Sequence, residues 1–308
     1  MLETFTSLAI NSERFNLLKQ EMLTNWRNFA SERPYTQAFS ALRVALNNQQ
    51  FAPEELADAL EAVTPASLAG WRNAALKEVG VKALLHGNLS SKRSSQLRSS
   101  LKDNLNIAAV SATQPVIQRV QSKRDEVIEV DHDDSATVLY VQGNDENLSE
   151  QARFGLLSQL LRSPFFTSLR TEQQLGYVVA ASNGQMHKTP GLAFIVQSPV
   201  ASNAQVRAST IDFMAKYKTV LEAMPEAEFA AAKGGYLNRL REKDKNQQGR
   251  AGRYWGDLLL DVVTFDRREQ IAAEVEQLTQ ANMTDAVAEL SDKLENAYFQ
   301  VSSPGKFK

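Results

Sequence analysis

The sequence lacks cysteine altogether and has little histidine. Its 308 residues include no Cys and three His, at positions 86, 132 and 187. The absence of Cys excludes disulfide bonds, thiolate zinc sites, iron–sulfur clusters and a cysteine nucleophile. Because no two histidines fall on one helical turn, a zinc site encoded by a short local motif is nearly excluded. The chain therefore carries little of the usual equipment of catalysis.

The sequence also lacks an excess of basic charge and any long apolar run. Its 34 Lys and Arg stand against 36 Asp and Glu, a net charge of −2, which argues against binding nucleic acid by phosphate neutralisation. No apolar window reaches 18 residues, so we expect no membrane partner. Charges throughout the first thirty residues exclude a signal-peptide core. Either the protein is cytoplasmic or its true N-terminus has been removed, and composition leaves both open.

The first half of the chain is predicted to be mostly helical. Apolar spacings of 3 and 4 residues predict a helix over 12–30 and further helices beginning at Pro34, Pro53 and Pro65, the last capped by Thr64. The apolar run Val81–Leu89 predicts a strand, and 90–101 a polar surface helix. Residues 106–118 lack periodicity and contain Pro115, which is typical of an interdomain linker.

The second half alternates strands with helices. Strands are predicted at Val127–Val130, Ala136–Gln142, Gly176–Ser182, Leu192–Ser198 and Ala297–Val301. A helix over 149–162 is expected to end at Pro164, followed by a short helical turn that reaches Arg170, and several helices follow Pro225. This order predicts an α+β fold with a mixed or antiparallel sheet covered by helices.

The two halves resemble each other at nearly one offset. Residues 56–68 (LADALEAVTPASL) align without a gap to 271–283 (IAAEVEQLTQANM), and Phe15, Lys19, Leu23 and Arg27 match Phe229, Lys233, Leu237 and Arg241. Amphipathic helices can look alike by chance, but two matches followed by elements in the same order favour an internal repeat.

The repeat predicts an incomplete first unit. The second unit has five strands, whereas the first has the single strand Val81–Leu89, which cannot satisfy its own backbone hydrogen bonds. We therefore expect the chain to begin inside a domain and this strand to pair with something outside the chain. The predicted organisation is a truncated, helix-rich rear half of one domain (1–105), a linker (106–118) and a complete homologous domain (119–308).

The segment 161–179 (LRSPFFTSLRTEQQLGYVV) carries the candidate chemistry. Arg170 and Tyr177 supply a fixed cation and a rigid hydroxyl, the kinds of group that stabilise a developing oxyanion. Gly176 between them allows a sharp turn or a close backbone approach. Taken alone, however, an Arg at a helix end is usually solvated and a Tyr in a strand is usually a packing residue.

These motifs resemble the pitrilysin and insulin-degrading-enzyme family of zinc metalloendopeptidases. The resemblance rests on LRTEQQLGYVV, RSPFF and GLAFIVQS, and extends over almost the whole chain through ERF, LLHGNL, RYWGDLL and FDR. It implies that the chain is the C-terminal portion of a periplasmic enzyme of four homologous α+β domains, which close around peptide substrates. It also implies that Arg170 and Tyr177 bind the substrate and stabilise the tetrahedral intermediate.

The same resemblance places the zinc outside this chain. The family's H-x-x-E-H motif is absent, since His86 precedes GNLS and His132 precedes DDSA. We therefore expect this chain to bind no metal and to be inactive alone, with the N-terminal half of the same enzyme as its partner. Two alternatives remain: a purely structural scaffold of the same fold, and an unrelated binding protein, which the incomplete first unit disfavours.

The histidines are expected to be structural. His132 lies among Asp131, Asp133 and Asp134, which are predicted to form a solvated turn between strands. His187 is expected on a mobile hairpin loop, and His86 at the end of the unpaired strand.

Overall fold

A computed structural model describes residues 9–108 and 113–307. The α-helices of these residues are α1 (Ser12–Asn28), α2 (Pro34–Leu46), α3 (Pro53–Glu61), α4 (Pro65–Ala75), α5 (Ser91–Asn104), α6 (Leu148–Phe166), α7 (Asn203–Glu222), α8 (Glu226–Leu240), α9 (Gln247–Leu259), α10 (Arg267–Gln277) and α11 (Gln280–Asn296). The strands are β1 (Arg124–Val127), β2 (Ser135–Gln142), β3 (Val178–Asn183), β4 (Gly191–Ser198) and β5 (Phe299–Ser303). None of the helices in the described ranges is long and apolar enough to cross a membrane.

The strands form one mixed sheet in the order β1-β5-β2-β4-β3. β1 runs parallel to β5, and the other neighbours are antiparallel. The predicted α+β class with a mixed sheet is confirmed. Four of the five strands in the second half lie within two residues of their predicted positions, and β1 begins three residues earlier than predicted.

The chain divides by its contacts into two compact units, and these do not follow sequence order. The first unit contains the described residues of 1–29, 51–114 and 244–259, and the second those of 30–50, 115–243 and 260–308. The domain boundaries drawn from the sequence remain a prediction about homologous segments. Part of the predicted linker, residues 109–112, lies outside the described residues.

In the second unit the central strands of the sheet are buried on both faces. Every residue of β2 is buried, with Leu139 and Val141 in one apolar cluster and Val138 and Tyr140 in the other. The larger cluster joins the sheet to α6, α7, α8, α10 and α11, while the smaller joins it to α2. This burial explains the nearly continuous apolar run of β2, since a strand covered on both sides needs no polar face.

The first unit has few buried apolar side chains. Among its described residues, Leu23 and Ala57 are the buried apolar ones, whereas Leu17, Met22 and Trp71 are exposed. The predicted strand at Val81–Leu89 does not form here, and Val81, Leu85 and Leu89 are also exposed. The strand prediction was wrong for this chain because no described segment offers these residues a neighbouring strand.

The matched helices of the two units make matching contacts. Lys19 Nζ donates to the carbonyl oxygens of Glu61 and Val63, at 2.7 and 2.9 Å. Lys233 Nζ donates to those of Glu276 and Leu278, both at 2.9 Å. Arg27 pairs with Glu61 as Arg241 pairs with Glu276, and Thr64 and Thr279 each cap the next helix. The aligned residues therefore hold the same structural roles.

Candidate functional site

The candidate site lies where α6 ends and β3 begins. Arg170 sits in a π-helical turn, Thr167–Glu172, which continues α6 directly. Tyr177 immediately precedes β3. The predictions that Pro164 ends the helix and that Tyr177 lies inside the strand were therefore wrong. π-helical turns occur frequently at functional sites.

A tyrosine hydroxyl explains how α6 continues through Pro164. Proline has no N–H to donate to the carbonyl oxygen of Leu160, four residues earlier. The Tyr217 hydroxyl of α7 donates to that oxygen instead, at 3.0 Å. The carbonyl is thus satisfied although it is buried, and the chain reaches Arg170 without a break.

Gly176 allows the backbone between Arg170 and Tyr177 to pack closely against β4. A Cβ at this position would overlap the carbonyl oxygen of Gln197, so no larger residue fits without movement of the backbone. The neighbouring Ser198 hydroxyl donates to the carbonyl oxygen of Leu175. The close backbone approach predicted as one of two roles for Gly176 is confirmed.

Tyr177, Asp134 and Gln197 form a hydrogen-bonded triangle. The Tyr177 hydroxyl donates to Asp134 Oδ2 at 2.6 Å. Gln197 Nε2 donates to the same carboxylate oxygen at 2.9 Å and to the Tyr177 hydroxyl at 2.6 Å. Asp134 is 7% exposed and Gln197 is fully buried, whereas Tyr177 is 47% exposed. Two buried side chains therefore hold a phenol that solvent can reach.

The triangle keeps Asp134 ionised and Tyr177 protonated near neutral pH. Burial alone would raise the pKa of the Asp134 carboxyl, but hydrogen bonds from Gln197 and Tyr177, with nearby His132 and Lys306, lower it below its ordinary value. Partial burial, the hydrogen bond to Asp134 and its negative charge raise the pKa of the Tyr177 hydroxyl. Tyr177 is therefore a proton-bearing donor.

Arg170 lies against the same segment. Its guanidinium Nη1 donates to the carbonyl oxygen of Tyr177, and its Cζ lies 5.5 Å from the centre of the Phe166 ring. The structure thus brings Arg170 and Tyr177 together, as the sequence motif suggested. A guanidinium and a phenol on one partly exposed edge can bind a carbonyl oxygen or carboxylate of a ligand.

Sequence reasoning missed Asp134 and Gln197 as parts of this site. Asp134 was expected in a solvated turn, but it is buried and bound by two side chains. Its position directly before the apolar run of β2 could have indicated that Asp134 is buried. Gln197 likewise stands as a polar residue in the apolar run of β4, which is typical of a buried polar contact.

The three histidines form no metal site, because no group of three potential metal ligands comes together in the part of the chain that the structure describes. His132 Nδ1 accepts a hydrogen bond from the Asp134 backbone N–H at 2.9 Å. The His86 ring contacts Tyr254 edge-on at 5.2 Å. His187 is half-buried in the β3–β4 connection, with a φ of 53°, and its Nε2 has no hydrogen-bond partner.

Two family descriptions match separate parts of the chain. Residues 1–59 match the middle or third domain of peptidase M16, and 156–255 match the C-terminal lobe domain 4 of PQQ synthase PqqF-like proteins. Human insulin-degrading enzyme is 26% identical over 302 residues, covering 92% of this chain and 29% of the relative. The A-factor-processing enzyme of Saccharomyces cerevisiae is also 26% identical and is covered to 28%. The chain thus spans about three tenths of the length of these relatives.

Solved structures share the fold. A crystal structure of pitrilysin superposes with a TM-score of 0.82 at 20% identity, covering 98% of this chain and 32% of that one. A structure described as a peptidase M16 inactive domain from Pseudomonas fluorescens gives a TM-score of 0.68 at 15% identity, covering 98% of this chain and 72% of that one.

Proposed function

Because this chain is related to a C-terminal portion of the pitrilysin and insulin-degrading-enzyme group of M16 peptidases, we propose that it is the non-catalytic C-terminal part of a zinc metalloendopeptidase. In this proposal it helps to close the substrate chamber, and Arg170 and Tyr177 contact the peptide. The zinc and its general base lie in another part of the parent enzyme. The periplasmic location implied by the sequence resemblance belongs to the same proposal.

The observation that carries this proposal is that Tyr177 is exposed to solvent while the two side chains that bind its hydroxyl are buried. Two polar side chains, Asp134 and Gln197, are buried to hold the Tyr177 hydroxyl in place, yet nearly half of the Tyr177 side chain faces solvent. Such support is expected for a hydroxyl that contacts a ligand. To donate to a substrate oxygen, the hydroxyl would turn from Asp134, and Gln197 would continue to orient it. The expected role is stabilisation of the charge that develops on the scissile carbonyl oxygen.

A scaffold role is the second candidate, and a specific observation favours it. Arg170 and Tyr177 both have partners within the chain, since the guanidinium binds the Tyr177 carbonyl oxygen and the hydroxyl binds Asp134. In that case the two side chains would only fix the segment between α6 and β3. Catalysis in the parent enzyme would then be insensitive to them as long as the fold is retained.

Kinetics of the parent enzyme distinguish the two functions. Tyr177→Phe should lower kcat/KM by roughly 100-fold, as expected for the loss of an oxyanion donor. The matched control is Tyr298→Phe, because the Tyr298 hydroxyl donates to Asp125 at 2.8 Å away from the site segment. Arg170→Ala should also lower kcat/KM, and Arg162→Ala, on exposed α6 surface, should not. Unchanged kinetics in both site variants would favour the scaffold.

We also propose that the first unit is completed by a sheet-bearing segment of the parent enzyme. Extending the match of Phe15 with Phe229, an offset of 214 residues, aligns Met22 with Tyr236, whose ring packs against Gly155 of α6. Met22 is 43% exposed, whereas Tyr236 is 7% exposed. Extending the match of 56–68 with 271–283, an offset of 215 residues, aligns Leu84 with Phe299, which is fully buried in β5. The second unit therefore indicates what the first lacks: a helix over α1 and strands beside 81–89.

A further inference from the structure

A cleft on the helical side of the second unit lies next to the π-helical turn. It encloses about 580 Å³ between the end of α6, α7 and the start of α8. Phe213 and Tyr217 stack there with ring centres 5.5 Å apart, and Val220 on the cleft wall is 55% exposed. Arg170 is not among the lining residues. The volume is in the range of clefts that hold small ligands or a few side chains.

The charges around this apolar cleft are mainly negative. Its wall carries Glu172, Asp212 and Glu228, against the single base Lys216. Lys216 Nζ is already paired with Asp212 at 2.6 Å. Among the described residues, Glu172 and Glu228 form no ion pair, and Glu228 lies close enough to Tyr217 to help burial raise its pKa to about 12. Two carboxylates thus stand without a cation beside an apolar wall.

A second cleft lies around the turn between α7 and α8. It encloses about 550 Å³, shares Met224 with the first cleft, and carries Glu222, Glu226 and Asp285, of which Glu222 is paired with Lys218 at 3.5 Å. We refer to the two clefts, which share Met224, as the groove.

We propose that this groove binds a peptide segment in which a bulky apolar residue stands beside a basic one. The apolar side chain would cover Val220 and the edges of Phe213 and Met224. Its basic neighbour would pair with Glu172 or Glu228, which lie on the wall beside Val220 and form no ion pair among the described residues. The groove adjoins the π-helical turn but is lined by neither Arg170 nor Tyr177, so the proposal does not depend on the function proposed for those residues.

The test is a titration of this chain, labelled with ¹³C at its methionine methyl groups. The probes are the acetylated, amidated peptides Ala-Leu-Arg-Arg-Ala, Ala-Leu-Gln-Gln-Ala and Ala-Leu-Glu-Glu-Ala. The basic peptide should shift the Met224 methyl signal in a saturable manner, and the buried Met214 and Met283 signals should move little. The glutamine peptide should bind more weakly and the acidic peptide least.

Variants show whether binding depends on the groove. Glu172→Gln combined with Glu228→Gln should weaken the basic peptide about tenfold, because each exposed ion pair contributes modestly. Glu295→Gln, an exposed position of α11 outside the groove, is the matched control and should leave binding unchanged. Unmoved Met214 and Met283 signals in the double variant show that the fold is retained. Failure of the basic peptide to shift Met224, or equal weakening by both variants, would overturn the proposal.

Discussion

Asp134 is a buried charge whose partners all come from distant parts of the sequence or from its own turn. Its carboxylate accepts from Tyr177 and Gln197, which fold against it only when β4 pairs with β2. A carboxyl whose folded pKa is lowered contributes stability above its unfolded pKa, and that stability is lost as pH falls through the folded pKa. Asp134 has such a lowered pKa.

Asp134→Asn should therefore reduce the free energy of unfolding at pH 7 by about 1–2 kcal/mol, since hydrogen bonds to a charged acceptor are lost. The difference from the unchanged chain should shrink as pH falls below about 4. Urea unfolding followed by circular dichroism at pH 7 and pH 3 measures both effects. Asp131→Asn in the same turn is the control, because Asp131 is exposed and should affect neither value. A loss that stays constant with pH would contradict the role given to the charge.

The sequence could predict the two partly exposed members of the site but not the two buried ones. Arg170 and Tyr177 stand in one short motif, so their proximity needs only a local turn. Asp134 stands in DHDD, which has the composition of a solvated turn. Its burial depends on Gln197, with which it makes a contact across paired strands. Such a contact between distant segments leaves little trace in a single sequence.

At the scale of elements, α6 continues past Pro164 because the Tyr217 hydroxyl takes the place of the hydrogen bond that proline cannot donate. Tyr217→Phe should destabilise the chain by about 1–2 kcal/mol, because the Leu160 carbonyl oxygen loses its donor. In a Pro164→Ala background, the new backbone N–H of residue 164 can donate to that oxygen. The same Tyr217→Phe change should then cost less, by about 1 kcal/mol.

A double-mutant cycle measures this coupling by urea unfolding of the four chains. Packing of the Tyr217 ring cancels in the cycle, since phenylalanine keeps the ring in both backgrounds. The coupling energy therefore measures how far the Tyr217 hydroxyl and the backbone N–H of residue 164 can substitute for each other as donors to the Leu160 carbonyl oxygen. If the losses of unfolding free energy in the two single variants simply add in the double variant, the Tyr217 hydroxyl does not replace the missing N–H.

Pro164 also shows why element boundaries are harder to predict than elements. The helix predicted over 149–162 is present, and its apolar residues Phe154, Leu157 and Leu161 are buried. Its end was predicted from proline alone, which removes one hydrogen bond. That loss is offset by Tyr217 from α7, a partner more than fifty residues later in the chain. A tertiary contact thus overrides the local rule.

At the scale of the whole molecule, burial is very unequal between the two units. Both apolar clusters belong to the second unit, whereas the first exposes Leu17, Met22 and Trp71. The predicted alignment of the two units brings this out at two positions, because the exposed Met22 and Trp71 align with Tyr236 and Ala286, which are buried. Periodicity could predict the helices of both units, because their local patterns are alike. It could not show whether the apolar face of each helix has a partner.

Hydrogen exchange tests whether the first unit has a missing partner. In this chain the amides of residues 81–89 should exchange rapidly, because these residues form no strand. In the parent enzyme they should exchange roughly 100-fold more slowly, since a paired strand opens only with its sheet. Residues 191–198 are the internal control, because β4 is paired on both sides and should be protected equally in both proteins. Equal exchange of 81–89 in the two proteins would mean that this segment needs no neighbouring strand. The resemblance between the two units would then end at their helices.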